Sequence, residues 1–209
     1  MKDAMTALLW EHWLSATRMS STALSLKESI FKKIMDAYSE PHRHYHNVEH
    51  LVEIIDHLEK TDCSNSAITF AVFYHDIVYA PGKSTNEKCS ADWAIADLRT
   101  LNLPEEIIQH TCTLILATKR HRFQDDDACG NLFLDADMAI LGSAPARYQR
   151  YLEAVRQEYR TTPDVIYKHG RKQFLTTLLK EEWIYHTDNF RQAFEKQAHV
   201  NIQEELERL

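Results

Sequence analysis

Apolar residues along this chain recur at three- and four-residue intervals far more often than alternately, so the pattern predicts helices throughout. Met5, Leu8, Leu9, Trp13 and Leu14, widened by Trp10, mark a first helix over about 4–17. After the polar Ser20-Ser21-Thr22, Leu26, Ile30, Ile34, Met35 and Tyr38 mark a second, which Ser39-Glu40-Pro41 ends because the residue before proline disfavours helical backbone. A loop over 41–45 follows. Val48, Leu51, Val52, Ile54, Ile55 and Leu58 then define a third helix reaching about Lys60. The fourth, from Ala67 to about Tyr79, is apolar nearly all round and belongs at the centre of the core. Thr85 or Asn86 caps a helix over about 87–101, and Pro104-Glu105-Glu106 starts another that runs to about Lys119. The Asp125-Asp126-Asp127 run reads as a solvated loop, and a short buried helix over 132–141 ends at Gly142 in a C-terminal glycine signal. Three more helices follow, over about 146–160, 164–182 and from Asp188 almost to Leu209.

The fold class expected is therefore all-α, a single helical bundle of about nine to ten helices. Four glycines and five prolines in 209 residues leave little material for hairpin turns. A chain of this length buries roughly 70% of its unfolded surface, enough for a core without staples. Within one domain, the segment 40–145 carries the chemistry, and the helices of 146–209 pack on it. The net charge of -7 argues against a nucleic acid polymer as partner, though a few local arginines can still hold a small anion. Cys63, Cys89, Cys112 and Cys129 show no C-x-x-C pair and read as reduced thiols. No apolar run approaches the ~20 residues of a membrane span, and no signal peptide is evident, so a cytoplasmic location without membrane attachment is expected. A homodimer is left open.

Candidate chemistry is concentrated in three places. His44, His46 and His50 fall within seven residues of the string Arg43-His44-Tyr45-His46-Asn47-Val48-Glu49-His50, and a helix from Asn47 brings His46 and His50 to one face. His75-Asp76 closes the apolar run 67–74, and Asp135 and Asp137 lie inside the apolar segment 134–141. Carboxylates in such surroundings need a counter-charge, which a divalent cation would supply. Two imidazoles with carboxylates make a nitrogen and oxygen ligand set suited to Mn, Fe, Co, Ni, Zn or Mg.

His50, then His75-Asp76, then Asp137 resembles the H…HD…D pattern of the HD-domain superfamily of metal-dependent phosphohydrolases. The string from Tyr45 to His50 is also similar to the Y-H-N-x-x-H segment of cyclic-nucleotide phosphodiesterases, in which the first His donates a proton and the second binds metal. The chain as a whole resembles the small predicted metal-dependent HD-superfamily phosphohydrolases, through Asn86-Glu87 with Ser90-Ala91, Thr118 with His121, Asp135-Ala136-Asp137, Arg156 with Glu158-Tyr159, Gly170-Arg171, and Asn201 with Glu205-Leu206.

The resemblance implies a metal-activated water that hydrolyses a small phosphorylated metabolite, with a nucleotide among the candidates. Its metal ligands would be His50, His75, Asp76 and Asp137, with Asp137 preferred over Asp135. His46 would be the proton donor, with Asp76 and Glu87 assisting the attacking water. Lys119, His121, Arg156 and Arg171 would contact substrate, and either arginine could instead form an internal salt bridge, with Glu158 a candidate partner. Stringent-response hydrolases of the superfamily carry an acidic pair where this chain has Tyr79 and Ala80, which argues against their substrate. A di-iron site would have to draw on His110 or His121, so one ion is expected. The alternatives are a non-catalytic nucleotide- or metal-sensing protein of the same fold and a purely structural metal site.

Overall fold

In a computed structural model that describes residues 2–63, 65–122 and 127–209, the periodicity is realised as ten helices and no strand. They are α1 (Lys2–Ala16), α2 (Leu24–Ala37), α3 (Val48–Leu58), α4 (Ser66–Tyr74), α5 (Asn86–Thr100), α6 (Glu105–Ala117), α7 (Ala128–Met138), α8 (Pro145–Glu158), α9 (Asp164–Leu178) and α10 (Lys196–Arg208). A 3-10 turn, Ala139–Gly142, follows α7. One helical turn, Asp188–Phe190, and a π-helical turn, Arg191–Glu195, lead into α10.

As its all-round apolar character requires, α4 is central and packs against α1, α3, α5, α6 and α7. Trp13 of α1 meets Phe70 and Phe73 of α4 edge-on, with ring centroids 5.6 and 5.5 Å apart, a favoured aromatic geometry. The same cluster of buried apolar residues runs from Leu9 to Ile202. Among the described residues no helix is long and apolar enough to cross a membrane.

The helix expected to reach Tyr79 stops at Tyr74, and its continuation turns away. Side chains take the backbone groups that further helical bonds would have used. The Arg43 guanidinium donates to the carbonyls of Asp76 (2.6 Å) and Ile77 (2.8 Å), and Ser90 Oγ accepts from Val78 N (3.1 Å). Asp127 is no solvated loop residue; it caps α7 by accepting from Gly130 N (2.9 Å) and pairs with His110 (2.7 Å). Asp125 and Asp126 lie outside the described residues.

Gly142 does follow the expected short helix, yet not as a left-handed cap. A Cβ there would lie 2.5 Å from Phe194 Cβ and 2.6 Å from the Phe194 carbonyl oxygen, so close approach of the π turn demands glycine. The cysteine expectation is corrected as well. Cys63 and Cys129 form a disulfide between the α3–α4 connection and the first turn of α7, while Cys89 and Cys112 are free. The pairing follows from packing across 66 residues of sequence, which no local spacing reveals.

Candidate metal centre and its cavity

Three helix ends deliver the central side chains. Asn47 caps α3 by accepting from Glu49 N (2.8 Å), which sets His50 in the first turn. His75 is the C-terminal cap residue of α4, and its Nδ1 faces the Val72 carbonyl at 3.0 Å. A proton held there leaves the Nε2 lone pair to point away from the helix. Asp137 projects from α7 toward both. His50 Nε2 and His75 Nε2 are 3.2 Å apart, and Asp137 Oδ1 lies 3.2 Å from the first and 3.6 Å from the second.

One ligand atom from each of these residues falls within 4.8 Å of the others, so His50, His75 and Asp137 form a buried group able to hold a metal ion. The donor set fits. Two imidazoles and a carboxylate converging on one point, with His75 Nδ1 turned to a backbone carbonyl, match a divalent transition metal. Asp76 stands beside this group, its Oδ2 3.4 Å from His75 Nε2. Burial would raise the Asp137 carboxyl, but the charge of His75 and hydrogen bonds from His121 and His50 outweigh it and hold the carboxyl well below its usual range.

Asp135 and Asp137 sit two residues apart on one helix and so face different ways. Asp135 turns to structure: it accepts from His186 N (2.7 Å), Thr187 N (2.8 Å) and Thr187 Oγ1 (2.7 Å), capping the turn at Asp188. Burial is the first cause of its raised pKa.

His46 precedes the α3 cap rather than lying in the first turn, so it meets His50 through ring proximity, with centroids 5.7 Å apart. Its Nε2 is 3.8 Å from Asp76 Oδ2. Its Nδ1 is 2.7 Å from Oε2 of Glu158, a residue assigned no role of its own from the sequence. The Glu158 side chain has no exposed surface. Its Oε1 accepts from the backbone amides of His44 (2.9 Å), Tyr45 (2.7 Å) and His46 (2.9 Å), and Tyr79 Oη donates to Oε2 (2.8 Å). Burial alone would raise this carboxyl, but the His46 hydrogen bond and charge, with the Tyr45 and His46 amides, bring it down to about 2. Burial likewise opposes the imidazolium of His46, and the Glu158 hydrogen bond and the Asp76 charge reverse that, leaving its pKa raised.

Arg43 was also missed. It joins the carbonyl of His46 (3.2 Å) to that of Asp76 and lies over the Tyr38 and Tyr79 rings, locking the histidine loop to the His75-Asp76 turn. Glu158 and Arg43 left no signal in spacing, because each acts on backbone brought close only by folding.

His75 and Asp137 of this group, with Asp76 and His46 beside them, line a cavity of about 570 Å³. Glu87, Lys119, His121 and Arg171 line it too, but most are already engaged. Lys119 reaches the Ser84 carbonyl and Glu87 (3.5 Å). Arg171 pairs with Glu205 through two bonds (2.7 and 3.1 Å). His121 has a left-handed backbone, φ 47°, and Nε2 3.2 Å from Asp137 Oδ2. Such backbone costs energy for a non-glycine residue.

Arg156 is not brought to this cavity. It donates to the Tyr159 carbonyl (2.7 Å), pairs with Asp164 rather than Glu158, and lies over the Tyr167 ring, stapling the α8–α9 connection. Comparison with protein-family models, curated proteins and solved structures gave no match. What the geometry establishes is an all-α protein with a buried His/His/Asp group able to coordinate a divalent metal beside a cavity.

Proposed function

We propose that this chain is a metal-dependent phosphohydrolase of the HD-domain superfamily that cleaves a small phosphorylated metabolite. The observation that carries the reading is the convergence of His50, His75 and Asp137 beside Asp76 and His46 at a cavity wall. His50, His75 and Asp137 would hold the ion, with Asp76 completing the set. A divalent cation supplies Lewis acidity there, lowering the pKa of water and offsetting phosphoryl charge.

The chain's own residues divide the remaining work. Asp76 accepts the proton of the attacking water and keeps that water oriented. His46 stands beside Asp76, with Nε2 3.8 Å from Oδ2, and protonates the leaving oxygen through Nε2, because Glu158 keeps Nδ1 occupied and favours the charged ring. Lys119 contributes positive charge and His121 a ring nitrogen at the cavity wall, and Glu87 orients Lys119.

The test is hydrolysis of a generic phosphoester by protein stripped and reloaded with Mn, Co or Ni. His75→Ala with Asp76→Ala is expected to abolish turnover, and full activity in that double variant would refute the assignment. Ligand-dependent stabilisation with no product across a broad phosphometabolite panel would instead identify a sensor.

A further inference from the structure

The cavity lining is chemically mixed. His46, Asp76, His121 and Asp137 line it together with a set of aromatic and apolar side chains that includes Tyr151, Tyr159, Tyr167, Ile166 and Phe174. Of the aromatic lining, Tyr151 comes from α8, Tyr159 directly follows it, and Tyr167 and Phe174 come from α9, with Tyr159 and Tyr167 5.6 Å apart between centroids. Only Leu175 of α9 is fully buried, while Ile166 is 63% exposed on the cavity rim. Large apolar side chains kept at a cavity rim are explained by an apolar group that covers them.

Positive charge facing the cavity is scarce. Of its three long cations, Arg171 is matched by Glu205 and Lys119 by Glu87, leaving Lys83 as the one that makes no ion pair among the described residues. A chain of phosphates would bring several negative charges to a wall that also holds Asp76, Asp137 and Glu87. A volume near 570 Å³ nonetheless holds much more than one phosphate group.

We infer that the site takes an ester bearing a single phosphate on an alcohol that carries a flat aromatic or heteroaromatic ring, and that the ring rests among Tyr159, Tyr167, Ile166 and Phe174. Polyphosphates and simple sugar phosphates are discriminated against, the first by charge and the second because their hydroxyls would lose water against an apolar wall. The inference rests on the hydrolase reading for the fate of the ester, but not for its recognition.

The test uses the full chain loaded with Mn and three probes: 2-(1-naphthyl)ethyl phosphate, glycerol 1-phosphate and inorganic tripolyphosphate. The first two are both primary alkyl esters, so their leaving groups are similar. Kd is measured by calorimetry on His46→Ala protein, where turnover is not required, and KM on the unsubstituted chain. The naphthyl ester is expected to bind roughly tenfold or more tighter than glycerol 1-phosphate, as one aromatic stacking contact provides. Phe174→Ala should narrow that ratio by about tenfold, and Ile166→Ala, at a surface position that leaves packing intact, by a few-fold.

Equal or tighter binding of glycerol 1-phosphate or tripolyphosphate overturns the inference, as does a ratio that neither variant moves. Turnover without ring preference sinks this inference alone. Ring-selective binding without turnover by the unsubstituted chain sinks the hydrolase reading and upholds this one.

Discussion

Glu158→Gln is the most informative single change, because it keeps shape and volume while reversing the sense of two contacts. In the native protein Oε1 accepts three backbone amides, and Oε2 faces His46 Nδ1 at 2.7 Å and the Tyr79 hydroxyl at 2.8 Å. A glutamine can keep its carbonyl on the three amides. Its NH₂ then confronts His46 and Tyr79, and the charge that favours the imidazolium is gone. Hydrogen bonds to a charged group contribute about 1.5–3 kcal/mol each. With two weakened and Tyr79 free to rotate, the expected loss of stability is about 2–4 kcal/mol. General-acid catalysis contributes roughly 10²–10⁴-fold, so losing the charge bias on His46 should lower kcat by about 10- to 100-fold. Metal affinity should stay near the native value, since Glu158 contacts none of His50, His75 and Asp137. The assays are kcat and KM on metal-loaded protein across pH, calorimetric metal titration and thermal unfolding. A variant that is destabilised yet retains the native kcat and pH profile would show that Glu158 only staples the loop, and the positioning of His46 would be refuted.

Metal removal by a chelator should lower the unfolding midpoint: an ion at 100 times its Kd stabilises the folded state by about 2.7 kcal/mol, and His50→Ala or Asp137→Asn should abolish that increment. Asp135→Ala should cost about 1–3 kcal/mol through the uncapped His186 and Thr187 amides while leaving metal affinity intact, which a calorimetric titration separates from Asp137→Asn. Burial lowers the His75 pKa, but the Asp76 and Asp137 charges overcome it and push it up to about 9 in the metal-free protein. Binding needs neutral Nε2, so metal affinity should rise with pH until about 9, whereas the stability that this protonated ring gives the metal-free chain is full below 6.5 and is lost as pH rises through about 9. A pH-independent metal Kd would contradict this. Gly142→Ala should destabilise by about 1–3 kcal/mol in thermal unfolding, because Phe194 backbone and Cβ stand where the methyl must go.

Periodicity by itself settled the class and, within a few residues, the helices. A 3.6-residue stripe is a local property: Ile30, Ile34 and Met35 of α2 and Val48, Leu51, Ile54, Ile55 and Leu58 of α3 are buried as it named them, while Phe31 is buried without having been named and Leu26 and Val52 are only partly covered. The residue types of the metal group were legible for a similar reason, since His50, His75 and Asp137 each sit at or near a helix end inside an apolar segment where an unpaired polar group is costly. What folding decided was which distant groups meet. The end of α4 depends on Arg43 capturing two carbonyls, the orientation of His46 on a carboxylate 112 residues away, and the glycine at 142 on a π turn arriving from the last helix. Arg156 fitted the sequence pattern, yet its hydrogen bonds go to a helix connection, and those of Asp135, ranked behind Asp137 from the sequence, do the same. Spacing records which side chains can act; only packing determines which donor reaches which acceptor, because a hydrogen bond exists over a few tenths of an ångström and the sequence carries no such distance.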